Sequence, residues 1–301
     1  MKNLSILILN YNSYDKIILQ LKALSGGELT NDNFIIIDNN SADGKLLETF
    51  CLENKFKFIQ THQNKGYAYG NNLAIKTAIA NGSEYFLILN PDIEISCNTI
   101  TAMYNEITAN SNVGAVGCRI CDKFQRELIF SDGGLLFPEF GFRGGHLNGN
   151  QLINKVNAPQ KINQFSYVNG SVFMFSKEAL KQNGLMRDDF FMYYEESEWC
   201  YRLTKTTNLQ MVVLTNVSGY HENSVKGKLY HYHISRNRLW FCKLYKGNIK
   251  IAKKDILKEM KRSLFSKRNK TYLNFGLFFA ILKGYRDGLK QQVYFDNFEK
   301  I

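Results

Sequence analysis

The sequence lacks the features that mark a disordered, membrane-spanning or disulfide-built protein. Only three of its 301 residues are proline, and no segment recurs at a fixed period, which excludes long Pro-rich linkers and a repeat architecture. No apolar run reaches the roughly 18 residues that a membrane-spanning helix needs. The six cysteines include one close pair, Cys118 and Cys121. A single pair without clustered histidines predicts reduced thiols rather than zinc ligands or disulfides.

The N-terminus has little that resembles a secretory signal. Lys2 precedes an apolar segment, but that segment covers only 4–9 before Asn10 and Asn12 end it. A signal peptide has a longer apolar core followed by a cleavage site of small residues. We therefore expect a cytoplasmic protein.

Positive charge is concentrated near the C-terminus. The chain contains 38 Lys and Arg against 27 Asp and Glu, a net charge of +11. Residues 243–290 hold 14 of those basic residues and three of the acidic ones, so this segment accounts for the whole excess. It also includes the apolar stretch 275–282. We interpret it as a basic helical arm that binds an anionic membrane surface without spanning the bilayer.

The first ninety residues alternate between strands and helices. Continuous Ile, Leu and Phe runs predict the strands, and apolar residues at helical spacing predict the helices between them. Strands apolar on both faces indicate a mostly parallel sheet that helices cover on both sides. The predicted strands are 4–9, 34–38, 56–60 and 85–89, and the predicted helices are 14–24, 45–53 and 69–80.

Polar residues follow all four predicted strands. In open parallel sheets, ligands bind beyond the carboxyl ends of the strands, so these segments are expected to meet at one binding site. They are Asn10-Tyr11-Asn12, Asp38-Asn39-Asn40-Ser41, Asn64-Lys65-Gly66 and Asn90-Pro91-Asp92.

Two carboxylates in these segments are candidates for nucleotide binding. Asp38 follows the second strand, where it either accepts hydrogen bonds from a base or ribose or closes an Asx turn. Asp92 is placed beyond the fourth strand by Pro91. One carboxylate there suits a hard divalent cation that shares its ligands with a diphosphate. An Asx turn or a helix cap is the alternative for Asp92.

The second half of the chain contains an aromatic segment followed by acidic residues. A strand predicted over 167–175 is interrupted at Gly170, which indicates a tight turn or a close backbone approach. The segment 190–203 begins with aromatic residues and becomes helical where three glutamates occur. A carboxylate in a partly apolar pocket has a raised pKa and can act as a general base near neutral pH. A polar loop with His221 then leads to a predicted helix over 230–245.

Together these residues resemble the family 2 glycosyltransferases, specifically the bacterial rhamnosyltransferase-like branch. The matches run in the family's order over about residues 4–240. Any one match is weak, but seven in order are highly specific. The matching segments are Ile8–Ser13, Ile37–Gly44, Asn64–Asn72, Leu89–Asp92, Val168–Ser171, Phe190–Arg202 and His221, and Arg236-Asn237 is also typical.

The resemblance implies an α/β protein of GT-A (Rossmann-like) fold, with a mostly parallel sheet flanked by helices and a C-terminal helical basic arm. Residues 1–240 would form the glycosyltransferase domain. Its nucleotide-sugar-binding half would cover 1–110, and its acceptor-binding half would cover 111–240. Residues 241–301 would form the membrane-associating arm.

The resemblance also implies the reaction and its residues. The enzyme would invert the anomeric carbon of a nucleotide-diphosphate sugar, dTDP-rhamnose or a UDP-hexose, in bacterial O-antigen or capsule synthesis. The acceptor would be a glycan, linked to a polyprenyl diphosphate. Glu196 would be the catalytic base, and Asp92 with His221 would hold Mg²⁺ or Mn²⁺. The implied nucleotide-sugar contacts are Asn10, Tyr11, Asn12, Asp38, Asn40, Asn64, Lys65, Gly66, Asn71, Asn90 and Asp92. The implied acceptor contacts are Asn169, Gly170, Glu195, Glu198 and Trp199.

Two positions depart from the family pattern. Asn90 stands where an Asp-X-Asp motif has its first Asp, which leaves Asp92 alone for the cation. The base position is usually Asp and is Glu196 here, one methylene longer. Glu195 and Glu198 therefore stay as alternative bases.

Two other functions fit parts of the sequence. A nucleic-acid-binding protein would use the basic arm, but it leaves the polar strand ends and the acidic segment without a role. A sugar nucleotidyltransferase would have a Gly-rich phosphate loop near its N-terminus, where this chain has Asn10-Tyr11-Asn12-Ser13. We therefore predict a sugar donor, a glycan acceptor and the inner face of the cell membrane as partners, and no nucleic acid.

Overall fold

A computed structural model of the chain describes residues 1, 3–222, 226–264, 275–290 and 299. Its β-strands are Leu4–Asn10 (β1), Phe34–Asp38 (β2), Lys57–Gln60 (β3), Tyr85–Leu89 (β4), Ile93–Ile95 (β5), Val113–Asp122 (β6), Ile129–Ser131 (β7), Gly134–Phe137 (β8), Arg143–His146 (β9), Lys161–Ile162 (β10), Val172–Ser176 (β11) and Gln210–His221 (β12). Its α-helices are Tyr14–Leu24 (α1), Gly44–Glu53 (α2), Tyr67–Ala80 (α3), Cys97–Ala109 (α4), Lys177–Asn183 (α5), Glu195–Thr206 (α6), Lys228–Leu244 (α7), Ile249–Leu264 (α8) and Phe275–Lys290 (α9).

One mixed sheet forms the centre of the fold. Its strands follow the order β10-β12-β6-β11-β4-β1-β2-β3, with β5 added to β12 and β7 added to β6. Strands β3, β2, β1 and β4 run parallel, which confirms the parallel sheet predicted for the first ninety residues. The second half adds β11 antiparallel to both β4 and β6. The start of β11 therefore lies beside the end of β4, at the edge where the polar loops meet.

Alternate residues of β1 face the two helical layers. Ile6 and Ile8 pack with α1 and α2, whereas Leu7 packs with α3 on the opposite side. Successive side chains of a strand point to opposite faces of a sheet. A strand that is covered on both faces therefore needs apolar residues at nearly every position, as β1 and β2 have.

Helices α7, α8 and α9 pack onto the second half of the chain. Trp240, Ile256 and Ile281 of these helices are buried in one cluster with Phe142 and Phe190. The predicted domain boundary between residues 240 and 241 falls inside α7. Within the described residues, none of the helices is long and apolar enough to cross a bilayer. Residues 265–274, 291–298, 300 and 301 of the predicted arm lie outside the described residues.

Helix α9 runs parallel to α7 and lies close against it. Gly276 near the start of α9 lies beside Lys228 at the start of α7, and Gly288 lies beside Leu239 farther along. The two helices therefore begin at the same end of the molecule. Glycine on the facing side of α9 lets the two backbones approach more closely than larger side chains permit.

The largest differences from the predicted starts are in α3 and α7, which begin two residues earlier, and in β11, which begins five residues later. Helix α3 begins at Tyr67, two residues earlier than predicted, because its first amide donates to the Phe191 carbonyl oxygen at 2.7 Å. The strand predicted over 167–175 is shorter, and β11 begins only at Val172. Before it, the Asn169 side chain accepts a hydrogen bond from the Ser171 amide at 2.9 Å and closes a turn. This turn agrees with the interruption predicted from Gly170.

Replacing Gly284 by Ala should destabilise the packing of α9 on α7. A Cβ at this position would overlap the carbonyl oxygen of Tyr232, a backbone atom that cannot rotate away. We expect the free energy of unfolding to fall by about 1–3 kcal/mol, measured by urea denaturation. The matched control is Gly276→Ala, whose Cβ would meet only the flexible end of the Lys228 side chain. Equal stability of the two variants would contradict the close packing.

Candidate active site

Asn10 holds together the polar loops that follow β1 and β2. Its side chain is completely buried, and Nδ2 donates to Asp38 Oδ1 at 2.8 Å and to Asp43 Oδ1 at 2.9 Å. The other Asp43 oxygen accepts from the Tyr14 amide at 2.9 Å, at the start of α1. Asn10 and Asp38 are also register partners in the sheet. Through these hydrogen bonds Asn10 fixes the two loops that border the predicted nucleotide site.

Asp38 lies at the predicted strand end, beneath the first turn of α2. It is completely buried, and its Oδ2 accepts from the Ser41 amide at 3.1 Å. A Cβ on Gly44 would overlap the Asp38 carboxylate, so α2 begins directly over it. One carboxylate oxygen is therefore engaged by Asn10 and the other by the loop after β2.

Four predicted nucleotide contacts lie on the open side of this edge. Tyr11 is 52% exposed at the end of β1, and Asn12, Asn40 and Lys65 are exposed as well. Asn12 and Asn40 have left-handed backbone conformations, with φ of 55° and 62°. An exposed aromatic ring above buried amides is a surface on which a planar base can stack.

The loop after β3 locks the first half of the chain to the second. Asn64 Oδ1 accepts from the Gly66 amide at 3.0 Å. Gly66 has a φ of 97°, and a Cβ there would overlap the Phe191 carbonyl group. Glycine is needed at this position both for its conformation and for the close approach.

Two further predicted contacts, Asn71 and Asn90, have roles inside the fold. Asn71 is completely buried, its Nδ2 donates to the Tyr67 carbonyl oxygen at 3.0 Å, and its Oδ1 has no hydrogen-bond partner among the described residues. The Asn90 amide donates to the Ser171 carbonyl oxygen at 3.0 Å. The Asn90 carbonyl oxygen accepts from Gln20 Nε2 at 2.9 Å. These bonds fix the segment that leads to Asp92.

Asp92 and His221, the two residues proposed to hold a metal, lie next to each other. Asp92 Oδ2 is 3.3 Å from His221 Nε2, because β5 directly after Asp92 pairs with the end of β12, with Ile93 opposite His221. Burial alone would raise the pKa of Asp92, but the hydrogen bond and charge of His221, with the charge of Lys16, bring that pKa below its usual value. Asp92 is therefore ionised at neutral pH.

The Asp92–His221 pair fits a divalent cation that also binds a phosphate. Asp92 Oδ1 and His221 Nδ1 are buried and have no hydrogen-bond partner in the described part of the chain. Residues 1, 3–222, 226–264, 275–290 and 299 contain no group of three His, Cys, Asp or Glu that could hold a metal ion. Mg²⁺ commonly takes one or two protein carboxylates and fills its shell with waters and phosphate oxygens. The unpartnered Asp92 oxygen is the ligand available for such an ion.

The loop before α6 is strained. Phe191, Tyr193 and Tyr194 have φ of 66°, 68° and 78°, in the left-handed region that non-glycine residues seldom adopt. Each such residue costs on the order of 1–3 kcal/mol and persists only where the surrounding structure enforces it. Strain of this kind is concentrated at functional sites.

Asn237 on α7 enforces that conformation. Its side chain is completely buried, and Nδ2 donates to the carbonyl oxygens of Phe190, Met192 and Tyr193 at 3.1, 2.8 and 2.8 Å. Arg236 also donates to the Phe190 carbonyl oxygen. Adjacent residues of one helix thus hold the loop that leads directly into the acidic first turn of α6.

Glu195 and Glu196 begin α6 in a low-polarity environment. Burial raises the pKa of Glu195 well above its usual range, and the charge of Glu196 raises it further. Burial also raises the pKa of Glu196, which hydrogen bonds from its own amide and from Ser197 offset in part. Glu195 is almost fully buried, whereas Glu196 is half-buried. Of the two, Glu196 is the carboxylate that a ligand can reach.

Glu198 and Trp199 do not face the site, which corrects their predicted acceptor contacts. Glu198 is completely buried and forms an ion pair with Arg202, with Nε–Oε1 at 2.9 Å. Its Oε1 also accepts from the Tyr245 hydroxyl at 2.6 Å. Trp199 is buried and donates from Nε1 to the Gly184 carbonyl oxygen at 2.8 Å. Both residues stabilise the packing of α6, so Glu198 is no longer an alternative base.

Tyr67 marks the point where the two halves of the site meet. Its hydroxyl donates to the Gly170 carbonyl oxygen at 2.7 Å. Burial raises the pKa of Tyr67, and the charges of Glu196, Glu195 and Asp92 raise it further. A Cβ on Gly170 would lie 2.9 Å from Glu196 Cγ. Tyr67 therefore contacts the turn before β11, and the same turn lies against the candidate base.

Tyr67, Asn237 and Lys16 belong to this site but are absent from the predicted contacts. Tyr67 and Asn237 both occur within the matching motifs, so the sequence contained a signal for their importance but none for their role. Lys16 lies on the exposed face of α1, where its charge acts on Asp92. Nothing in its sequence context separates it from an ordinary surface lysine.

Replacing Asn237 by Ala should destabilise the protein by about 2 kcal/mol or more, because the carbonyl oxygens of Met192 and Tyr193 lose their buried donor. Urea denaturation measures the change. Asn98→Ala, at an exposed position of α4, is the control and should change stability by less than about 0.5 kcal/mol. If both variants unfold at the same urea concentration, Asn237 does not hold the loop.

Comparison with known proteins identifies the family. The profile described as Glycosyl transferase family 2 matches residues 5–184. The chain is also similar to the low-salt glycan biosynthesis hexosyltransferase Agl10 of Haloferax volcanii, with 30% identity over 203 residues. That alignment covers 66% of this chain and 61% of Agl10, so the chain spans about three fifths of that relative.

Solved structures of glycosyltransferases share the fold. The structure of GalNAc-T7 with UDP, GalNAc and Mn²⁺ has a TM-score of 0.62 at 12% identity and covers 94% of this chain and 53% of that one. Mannosyltransferase PcManGT from Pyrobaculum calidifontis, in complex with GDP-Man and Mn²⁺, has a TM-score of 0.55 at 12% identity, covering 96% and 87%. These likenesses confirm the predicted GT-A fold. With the family match over more than half of its length, this chain belongs to glycosyl transferase family 2.

Proposed function

We propose that this chain is an inverting glycosyltransferase that moves a sugar from a nucleoside-diphosphate sugar to a hydroxyl group of a glycan acceptor. Family membership supports the class of reaction. The observation that carries the residue assignment is the turn before β11, which contacts both sides of the site. Gly170 in this turn lies against Glu196, and the Ser171 carbonyl oxygen accepts from the Asn90 amide, two residues before Asp92. A donor diphosphate at Asp92 and an acceptor hydroxyl at Glu196 would then lie on either side of one reacting carbon.

The donor side binds the nucleotide and its phosphates. Tyr11 offers an exposed ring for the base, above the loops that Asn10 and Asp38 hold together. Asp92 and His221 would hold Mg²⁺ or Mn²⁺, which when bound neutralises charge on the departing diphosphate. Lys16 adds a positive charge on the same side. These groups favour departure of the nucleoside diphosphate as its negative charge develops.

The acceptor side supplies the base. Glu196, in its ionised form, takes the proton from the acceptor hydroxyl. The oxygen then forms a bond to the anomeric carbon while the bond from that carbon to the diphosphate oxygen breaks, and the electron pair leaves with the diphosphate. Attack opposite the leaving group inverts the anomeric centre. The loop before α6 that Asn237 holds, here called the clamped loop, keeps Glu196 in place for this step. This orientation of the base supplies much of the rate.

The donor and acceptor are proposed at the level of their classes. A UDP-hexose or dTDP-rhamnose is the proposed donor, and the name of the relative Agl10, a hexosyltransferase of glycan biosynthesis, favours a hexose. The proposed acceptor is a glycan linked to a polyprenyl diphosphate, in the synthesis of a bacterial surface polysaccharide. Such an acceptor places the enzyme at the inner face of the cell membrane, as a peripheral protein.

Replacing Glu196 by Gln should lower the transfer rate by about 10²–10⁴-fold with little change in donor affinity, because the amide cannot take the proton. The rate is measured as release of the nucleoside diphosphate in the presence of acceptor, and donor affinity by calorimetry. The control is Glu178→Gln on the surface of α5, which should retain full activity. Full activity of Glu196→Gln would rule this residue out as the base.

The pH dependence of the wild type follows from the same group. Glu196 works ionised, and its pKa is raised, so the rate should fall as the pH drops through that raised value. The acid limb of the profile should therefore lie above the value of about 4.3 that is usual for glutamate. A rate that stays constant down to about pH 4 would contradict this assignment.

Replacing Asp92 by Asn should remove the effect of Mn²⁺ on nucleotide binding. In the wild type, Mn²⁺ should tighten the binding of UDP about tenfold or more, because the cation links the carboxylate to the diphosphate. Calorimetric titrations with and without Mn²⁺ measure this difference. Asp15→Asn, at an exposed position of α1, is the control and should keep the full effect. An equal effect of Mn²⁺ in Asp92→Asn would overturn the proposed cation site.

A further inference from the structure

The apolar sides of the C-terminal helices are largely used inside the protein. Ala252 and Ile256 of α8 and Ile281 of α9 are buried in the cluster that also contains Phe142 and Phe190. These helices are therefore not free to lie in a bilayer with their apolar faces down. Contact with a membrane has to use side chains that this packing leaves exposed.

Three large apolar side chains remain exposed at one end of these helices. Phe275 and Phe279, one turn apart on α9, are 54% and 59% exposed, and Leu229 on α7 is 67% exposed. Because α7 and α9 run parallel and Gly276 touches Lys228, the three side chains belong to the same end of the helix pair.

Unpaired cations accompany these apolar side chains. Lys226 and Lys228 are exposed, and within the described residues neither has a carboxylate within ion-pair distance. The exposed positions of α9 continue after Phe279 with Lys283, Arg286 and Lys290. Of these three, Lys283 is paired with Asp287 at 2.8 Å. We call Leu229, Phe275, Phe279, Lys226 and Lys228 the docking face.

The docking face lies next to the acceptor side of the candidate active site. Tyr230, the residue after Leu229, packs edge-on against Tyr193, with ring centroids 5.1 Å apart. Tyr193 belongs to the clamped loop two residues before Glu195. Leu229 of the docking face is therefore one residue away from a contact with the loop that positions the candidate base.

The chemistry of the docking face favours an anionic lipid surface over other partners. Aromatic side chains enter the boundary between headgroups and acyl chains, and lysines around them bind anionic headgroups. A duplex nucleic acid would pair with the lysines but leave the phenylalanines without a partner, because its bases are already stacked on one another. A second copy of the chain would bring lysines against lysines.

We propose that the docking face binds the anionic headgroup layer of a membrane and presents the acceptor side of the site to it. The inference rests on the proposed function in one respect: a lipid-linked acceptor gives this orientation its use. Binding to lipid itself is a separate property, and it can be tested without any transfer reaction.

Sedimentation of the full-length protein with vesicles tests the docking face. The wild type should bind vesicles of phosphatidylcholine mixed with phosphatidylglycerol at low salt, and bind vesicles of phosphatidylcholine alone much less. The double variant Phe275→Ser, Phe279→Ser should bind the mixed vesicles about tenfold more weakly. The double variant Lys226→Glu, Lys228→Glu should also lose about tenfold. A wild type that stays in the supernatant, or a Phe variant that binds as the wild type does, would overturn the proposal.

A matched control separates the docking face from general surface hydrophobicity. Leu46 and Leu52 of α2 are 62% and 67% exposed, and Leu46→Ser with Leu52→Ser should leave vesicle binding unchanged. If this control loses binding equally, the contact is not specific to α7 and α9. If the Phe variant instead converts a dimer to a monomer in the absence of lipid, the face belongs to a second copy and the proposal fails.

A fluorescence measurement keeps the test independent of losses in stability. Trp199 and Trp240 are both buried, so the variant Phe279→Trp adds the one exposed indole among the described positions. Its emission should shift to shorter wavelength on addition of mixed vesicles and should be quenched by brominated lipid. An unchanged spectrum would overturn the proposal even if the protein sediments.

The two proposals fail in different ways. Transfer to a soluble glycan acceptor without a lipid should be retained in Phe275→Ser, Phe279→Ser and lost in Glu196→Gln. If vesicle binding is absent while Glu196→Gln abolishes transfer, only the docking face is wrong. If vesicle binding behaves as expected while Glu196→Gln is fully active, only the catalytic assignment is wrong.

Discussion

The hydrogen bonds from Asn237 to the loop before α6 are the contact on which the geometry of the site depends. Three residues of that loop occupy the left-handed region, at a cost on the order of 1–3 kcal/mol each. Without these hydrogen bonds the loop would leave the left-handed region, because the start of a helix does not by itself require positive φ values in the residues before it. The buried Asn237 amide makes relaxation costly, since the carbonyl oxygens of Met192 and Tyr193 would lose their buried donor.

The loop before α6 also contacts the donor side of the site, so the conformation that Asn237 fixes affects that side as well. The Phe191 carbonyl oxygen accepts from the Tyr67 amide at 2.7 Å, and Gly66 fits against it without a side chain. Helix α3 therefore begins on a group that α7 has fixed. From Tyr67 the contact continues to the Gly170 carbonyl oxygen. Residues far apart in the sequence are thus held in one rigid arrangement. Glu195 can stay buried beside the half-buried Glu196, although its burial costs stability.

The sequence was sufficient for the parallel half of the sheet and for the edge where the site lies. Strands buried on both faces need continuous apolar runs, so the polar segments that follow them are easy to recognise in the sequence. It was not sufficient to separate the glutamates of α6. Residues one and two positions apart in a helix point in different directions, so Glu196 faces away from Glu195 and Glu198. Contacts with Arg202, with Tyr245 and with the loop that Asn237 holds decide which glutamate of α6 faces the core. Tyr245 and Asn237 come from distant parts of the chain.

The sequence of the C-terminal helices was also insufficient to predict what covers their apolar faces. Apolar residues recur at helical spacing along α8 and α9, and this period predicts that one face of each helix is covered. The period is the same whether the cover is a lipid surface or another part of the protein. Here the cover is largely α7 and the aromatic cluster around Phe142. The basic arm is therefore part of the scaffold that supports α7, and through Asn237 it supports the loop before the proposed base. The proposed membrane contact would have to use the few apolar side chains that this packing leaves exposed.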